Sequence, residues 1–102
     1  MPLLWDDLKA RLPPLRSQEA EIEPMVYARF FLPGTSRSWY VFEGQPRDED
    51  FVFSGFVAGE DEFREFRLSE LEAIRDLFGS RVERDQAFTE GRLTDVVPAP
   101  DS

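Results

Sequence analysis

The sequence predicts an α+β protein: an antiparallel β-meander of about four strands, with a short N-terminal helix and a helix at 70–78 packed on the sheet. Three observations support this fold class. Aromatic and apolar residues fill a hairpin between Val26 and Gly44, and such residues suit a pleated, half-buried surface. Two further alternating runs follow after short connections, which favours antiparallel neighbours. A capping sequence then precedes an apolar stripe at helical spacing.

The N-terminal segment is predicted to form an amphipathic helix over residues 4–12. Leu4, Leu8 and Leu12 recur at helical spacing, as expected for one buried stripe. Pro13 and the proline after it end the helix, because a proline cannot donate a backbone hydrogen bond. The polar segment 17–24 that follows is predicted to be a solvated connector, with a site for a cation or a basic partner as the alternative.

Four strands are predicted next, at Met25–Leu32, Ser38–Glu43, Phe51–Ala58 and Phe63–Leu68. A turn at 33–36 joins the first two strands, and a charged connection at 45–50 joins the second and third. The first three strands carry large apolar groups on both faces, so both faces of the sheet need a cover. Either two helices cover one face each, or one face is shared with another chain.

The helix at 70–78 has the clearest local signal. Ser69 is predicted to cap the first free amides, while Glu72 reaches back to the amide of the cap residue. Gly79 stands where a left-handed residue commonly ends a helix. The predicted apolar stripe consists of Leu71, Ile74, Leu77 and Phe78.

The domain boundary is predicted near residue 88. Residues 1–88 are expected to form a single α+β domain, in which a short strand surrounds Val82 and Phe88 is a late anchor. From Thr89 the chain turns polar and proline-rich. Residues 89–102 are therefore predicted to form a mobile C-terminal tail.

Composition restricts the classes of function. Twenty-one acidic residues against twelve basic ones give a formal charge of −9, which disfavours nucleic acids and anionic membranes as partners. The chain has no cysteine and no histidine, which excludes disulfides and nucleophile pairs built on histidine. No apolar run is long enough to span a bilayer, and charges interrupt any secretory signal at residues 1–15. The sequence therefore predicts a cytoplasmic protein without cofactors.

Carboxyl groups are the chemistry that remains available for catalysis or metal binding. The candidate acidic residues are Asp48, Glu49, Asp50, Glu60, Asp61, Glu62, Glu83 and Asp85. They could ligate a hard cation, but neither of the two acidic runs has the twelve-residue ligand spacing of an EF-hand, and solvated turns explain both. The sequence predicts no metal site.

Two classes of function follow from these residues. The favoured one is a non-enzymatic protein-interaction module, whose sharpest version is an acidic DNA mimic that blocks a DNA-binding protein. The alternative is a carboxylate-dependent hydrolase or nuclease that holds Mg²⁺ between Glu83 and Asp85, or between Asp48 and Asp50. Direct binding of single strands through arginines and aromatics of the first hairpin is a third hypothesis, which the net charge opposes.

The candidate surface for an unknown protein partner lies on the first hairpin. If no helix covers the second face of the sheet, the partner-binding residues are predicted to be Tyr27, Arg29, Phe31 and Trp39. The protein is then either a monomer that binds a different protein or a homodimer.

Several segments in order resemble a bacterial family known as domain of unknown function 2958. They are LKARLPPL, YARFFLP, SWYVFEG, FSGFVAG, FRLSELEAIR and VERDQAF, and they cover nearly the whole chain to Phe88. Arg64-Glu65-Phe66 replaces the glycine-tyrosine pair that usually precedes the family's LSELE run. The resemblance implies a small cytoplasmic bacterial protein, in a family often carried on plasmids and other mobile elements, and it supplies no activity.

Overall fold

The computed structural model of the protein describes residues 6–97. The helices are α1 (Asp6–Arg11), α2 (Leu68–Ala73) and α3 (Leu93–Val96). The strands are β1 (Met25–Val26), β2 (Ala28–Phe31), β3 (Ser38–Arg47), β4 (Asp50–Ala58), β5 (Glu62–Arg67), β6 (Glu83–Arg84) and β7 (Gly91–Arg92). Leu4, the first position of the predicted N-terminal stripe, lies outside the described residues.

The predicted antiparallel meander is confirmed. Strands β2 to β5 pair with their neighbours in sequence, and β6 joins at the free edge of β2, which gives the order β5-β4-β3-β2-β6. The strand predicted at 25–32 is interrupted at Tyr27. Its first part, β1, pairs instead with β7, which moves Val26 away from the face that it was predicted to share with Ala28 and Phe30.

The charged connection predicted at 45–50 is wrong, because most of it belongs to strands. β3 continues to Arg47, which pairs with Asp50 across a two-residue turn. Asp48 takes a left-handed φ of +57° in that turn, a conformation that Asp tolerates better than most residues. Pro46 is tolerated inside β3 because β2 pairs only with residues 38–41, so that β3 has one neighbour at Pro46.

Two apolar clusters lie on the two faces of the sheet. The main cluster consists of Leu8, Leu12, Ala28, Phe30, Leu32, Trp39, Val41, Phe51, Phe53, Val57, Phe66, Leu71 and Val82. The second cluster is Val26, Tyr40 and Phe42. Adjacent residues of β3 alternate between the two, as the period of a strand requires. The prediction of apolar side chains on both faces is confirmed.

The alternative in which the N-terminal helix and the helix predicted at 70–78 cover opposite faces is wrong. Leu8 of α1 and Leu71 of α2 both pack into the main cluster. Gly44 makes room for the N-terminal segment, since a Cβ there would lie 3.0 Å from Leu12 Cδ1. The second cluster is covered by a C-terminal segment instead, whose half-buried contacts are Phe88, Leu93, Val96 and Val97.

The helix predicted at 70–78 begins earlier and ends earlier. α2 starts after Arg67, whose amide donates to the Glu70 carboxyl at 3.5 Å, so Ser69 is not its cap. Ser69 lies inside the first turn and donates its hydroxyl to Asp50. After Ala73 the backbone becomes extended at Ile74. A packed helix is therefore confirmed, but over fewer residues.

The segment after residue 88 contains regular structure. β7 pairs with β1, and the Leu93 amide donates to the Pro24 carbonyl at 3.0 Å. The Glu23 carboxyl accepts from the amide and the hydroxyl of Thr94. The division at residue 88 and a mobile tail beyond it stay predictions. Within the described part of the chain, no helix is both long and apolar enough to cross a membrane.

Candidate functional site

Two large apolar side chains on a short turn are almost fully exposed to solvent. Leu77 is 99% exposed and Phe78 is 93% exposed. They occupy the middle of the segment Asp76–Ser80, which we call the apolar turn. Monomeric proteins commonly expose single apolar residues, but two adjacent large ones on one turn are typical of contact surfaces.

Hydrogen bonds fix the conformation of the apolar turn. The Asp76 carboxyl accepts from the amides of Phe78 and Ser80, each at 2.8 Å. The Gly79 amide donates to the Asp76 carbonyl at 3.1 Å, and Gly79 has a left-handed φ of +81°. The Ser80 amide, followed by that of Phe78, holds the pKa of Asp76 below its ordinary value. The two apolar side chains are therefore presented by an ordered backbone.

A concave surface adjoins the apolar turn. The turn of the first hairpin lies beside it, and together they line a cavity of about 550 Å³. Pro33, Gly34 and Thr35 contribute from the hairpin, and Leu77 and Phe78 from the apolar turn. This combination of protruding apolar groups and a shallow concavity suits contact with a complementary protein surface.

Arg29 is the centre of a polar cluster that lines a different cavity bordered by the same hairpin turn. Its guanidinium donates to Asp85 at 3.0 Å and to the Ser38 hydroxyl at 2.9 Å. It also lies 4.9 Å from the ring centroid of Phe31 and 5.9 Å from that of Tyr40. These contacts hold the guanidinium at the wall of a second cavity of about 720 Å³.

The four residues predicted for partner binding do not form one surface. Trp39 is fully buried in the main cluster, with the Arg37 guanidinium 4.9 Å from its ring centroid. It cannot contact a partner, so its assignment is corrected. Tyr27 is half-buried against the main cluster. Only Arg29 and Phe31 come together, and Phe31 is also half-buried.

The acidic candidates are distributed over three places. Asp48, Glu49 and Asp50 lie at one end of β4, while Glu60, Asp61 and Glu62 lie at the other end. Eight residues of β4, at positions 51–58, separate the two groups, a span of roughly 27 Å. Glu83 is exposed on β6, and Asp85 is engaged by Arg29. Across residues 6–97, no three acidic side chains lie close enough together to hold a metal ion.

Asp50 and Glu60 have structural partners. Asp50 accepts from the amide and hydroxyl of Ser69 and from the Phe51 amide. The Ser69 hydroxyl, followed by that amide of Phe51, lowers the pKa of Asp50. Asp50 therefore supplies the cap at the start of α2 that a local sequence signal assigned to Ser69. Glu60 forms ion pairs with Arg37 and Arg64.

A family model described as "Protein of unknown function (DUF2958)" matches residues 3–97. The match covers nearly all of the chain, including the apolar turn and the Arg29 cluster. The chain belongs to the DUF2958 family. No match was found among curated proteins or among solved structures.

Sequence reasoning missed two features of this DUF2958 chain. Glu43 is 4% exposed, and its two carboxyl oxygens accept from the amides of Arg16 at 2.8 Å and Gln18 at 2.6 Å. The sequence signal for this role is the position of Glu43, an acidic residue on the strand face that also carries Trp39, where alternation predicts an apolar core residue. The second feature is the apolar turn, whose aspartate and glycine-serine sequence competes with helix formation.

Proposed function

We propose that this DUF2958 protein is a non-enzymatic interaction module that binds a protein partner through the apolar turn. The observation that carries the proposal is the nearly complete exposure of Leu77 and Phe78 on a backbone fixed by Asp76. Aromatic residues that enter a partner's pocket commonly dominate the free energy of association. The partner surface is therefore expected to carry an apolar pocket.

Preorganisation of the turn supports this role. Burying one large apolar side chain contributes about 1.5–3 kcal/mol, so the pair supplies enough for a specific contact if little entropy is lost. The bonds from Asp76 to the amides of Phe78 and Ser80 already restrict the backbone before binding. Affinity gained in this way comes from the lower cost of ordering the loop.

Net charge supports a basic partner. The chain carries −9, and an acidic protein accelerates its encounter with a positively charged surface over distances near the Debye length. We propose that lysines and arginines surround the apolar pocket on the partner. Such a rim affects the association rate and its salt dependence more than the final affinity.

The experiment is affinity capture from host-cell extract with three baits. These are the wild type, the double variant Leu77→Ser/Phe78→Ser, and the control Ile22→Ser. Ile22 is 93% exposed on a different loop, so the control removes an equally exposed apolar group. A partner retained by the wild type and the control but lost from the double variant supports the proposal. Equal recovery on all three baits contradicts it.

A second variant tests preorganisation. Asp76→Ala leaves both apolar side chains in place and removes the acceptor that orders them. We expect several-fold weaker binding of the captured partner, because the loop must then be ordered on association. Unchanged affinity in the Asp76 variant means that the ordered turn contributes nothing to binding.

The other functions predicted from sequence have different signatures. An acidic DNA mimic predicts partner binding that salt weakens strongly and that duplex DNA competes. A basic rim around the apolar pocket also makes association depend on salt, so the distinguishing result is the competition: duplex DNA should leave binding through the apolar turn unchanged. A Mg²⁺-dependent hydrolase or nuclease predicts binding heat at millimolar Mg²⁺ or Mn²⁺. A cytoplasmic location, a bacterial source and the state of monomer or homodimer stay predictions.

A further inference from the structure

The second cavity combines features of a small-molecule site. It measures about 720 Å³, within the range of pockets that hold small ligands. Its floor is the second face of the sheet, where the half-buried Phe56 supplies aromatic surface beside the buried Tyr40. Val97 borders it from the C-terminal segment. This cavity is separate from the apolar turn, although Thr35 of the hairpin turn borders both cavities.

Arg29 offers a fixed cation to this cavity. One guanidinium nitrogen donates to Asp85 and another donates to Ser38. A guanidinium has five N–H donors, so three remain for a ligand. The Asp85 carboxyl is itself held by the Ala87 amide at 3.0 Å, so the side chain of Arg29 is oriented before any ligand arrives. Ser38 accepts from Arg29, and its own hydroxyl hydrogen is left to donate.

Asp61 brings a negative charge to the lining of the same cavity. It follows β4 in the β4–β5 connection, whereas Arg29 lies on β2, two strands from β4. Two strand spacings are about 10 Å, so the two residues join the lining from well-separated strands. Arg29 is paired with Asp85 but keeps further N–H donors, and Asp61 is exposed. A molecule that carries a carboxylate and an ammonium can therefore form a charge-assisted hydrogen bond with each residue.

We propose that this cavity binds a dipeptide-sized zwitterion with an aromatic or large apolar side chain. The carboxylate accepts from Arg29 and Ser38, and the ammonium donates to Asp61. The apolar side chain lies on Phe56. The separation of the charged walls favours a dipeptide over a single amino acid, whose two charges lie closer together.

Three matched probes test the proposal by titration calorimetry. Glycyl-phenylalanine carries both charges, its N-acetyl derivative lacks the ammonium, and glycyl-phenylalaninamide lacks the carboxylate. We expect the zwitterion to bind at least about tenfold more tightly than either derivative, because each loses one charge-assisted hydrogen bond. No binding of glycyl-phenylalanine, or equal binding of all three, overturns the proposal.

Protein variants assign the charges to residues. Asp61→Asn removes the negative charge, and asparagine tolerates the left-handed φ of +54° at this position. This variant should bind glycyl-phenylalanine and its N-acetyl derivative equally. Arg29→Lys should weaken carboxylate-bearing probes at least about tenfold, because lysine lacks the planar fork. Glu49→Gln, at the far hairpin, should behave as the wild type. A zwitterion preference that survives in the Asp61 variant overturns the assignment, whether or not the Arg29 variant folds.

Discussion

Shortening Glu43 should destabilise the protein by detaching one loop from the sheet. Its carboxyl oxygens accept from the amides of Arg16 and Gln18, and an amide left without an acceptor costs about 1–3 kcal/mol. Arg16 is exposed and Gln18 is half-buried, so we assign about 1 and about 2 kcal/mol to the two amides within that range. Glu43→Ala should therefore lower the free energy of unfolding by about 3 kcal/mol, a large fraction of the usual total.

A graded series gives this prediction a control. Glu43→Gln keeps one acceptor oxygen, so its loss should be about half that of the alanine variant. Glu65→Ala removes an exposed acid from β5 and should stay within about 0.5 kcal/mol of the wild type. The measurement is urea denaturation followed by tryptophan fluorescence, with the free energy extrapolated to water.

Hydrogen exchange localises the effect. In Glu43→Ala the Arg16 and Gln18 amides should exchange faster. The Met25 amide donates to the Gln18 side chain at 2.6 Å, so it should exchange faster as well. The Asp85 amide, which donates to the Arg29 carbonyl at 2.9 Å, should stay protected. An unpaired amide costs at least about 1 kcal/mol. The reasoning would be refuted if Glu43→Ala lowered the free energy of unfolding by less than that and left exchange at the Arg16 amide unchanged.

Two further predictions concern the backbone of β4 and the response to acid. Gly55→Ala should prevent folding, because its Cβ would lie 1.9 Å from the Tyr40 carbonyl oxygen. In the control Gly34→Ala the Cβ meets open space but the φ is +79°, so the free energy of unfolding should fall by only about 1 kcal/mol. Circular dichroism and thermal melts distinguish the two variants. The Ser69 hydroxyl bond lowers the pKa of Asp50 below 3.8, so the stability that Asp50 contributes is present above its unfolded pKa and is lost as pH falls through the lower folded pKa. Asp50→Asn should flatten this loss in urea titrations between about pH 5 and pH 2, and an unchanged acid profile would contradict the assignment.

The central strands could be predicted from sequence because their pattern of apolar residues fits only a strand that is buried on both faces. In β3 and β4, neighbouring apolar residues such as Trp39 and Tyr40 enter opposite clusters, and only a strand period separates them in that way. Antiparallel order followed from short connections. Burial of large groups on both faces also followed, since a solvated face alternates apolar with polar residues.

The cover of the second face could not be predicted, because its contacts are sparse and distant in sequence. Leu93, Val96 and Val97 lie in a polar, proline-rich segment, and they are placed by the pairing of β7 with β1. Likewise, the cap of α2 comes from Asp50, 19 residues before Ser69. Long-range pairing of this kind leaves no local signal.

The apolar turn was predicted to be helical because its apolar residues have helical spacing, but side-chain hydrogen bonds stabilise a turn there instead. Leu77 and Phe78 continue the stripe that starts at Leu71, which predicts a helix. The Asp76 carboxyl instead accepts from the amides of Phe78 and Ser80, and such local bonds compete with the helical ladder. Leu77 and Phe78, which were predicted to pack on the sheet, are consequently almost fully exposed.

The central claim is that Phe78 enters a pocket on a protein partner. The most direct test is the dissociation constant of the captured partner, measured by calorimetry with the wild type, Phe78→Ala and the control Ile22→Ala. We predict that Phe78→Ala weakens binding by about 2 kcal/mol, roughly thirtyfold, as for a residue at the centre of an interface. The control should stay within about twofold of the wild type. Equal dissociation constants for Phe78→Ala and the wild type, with both proteins folded, would contradict the claim.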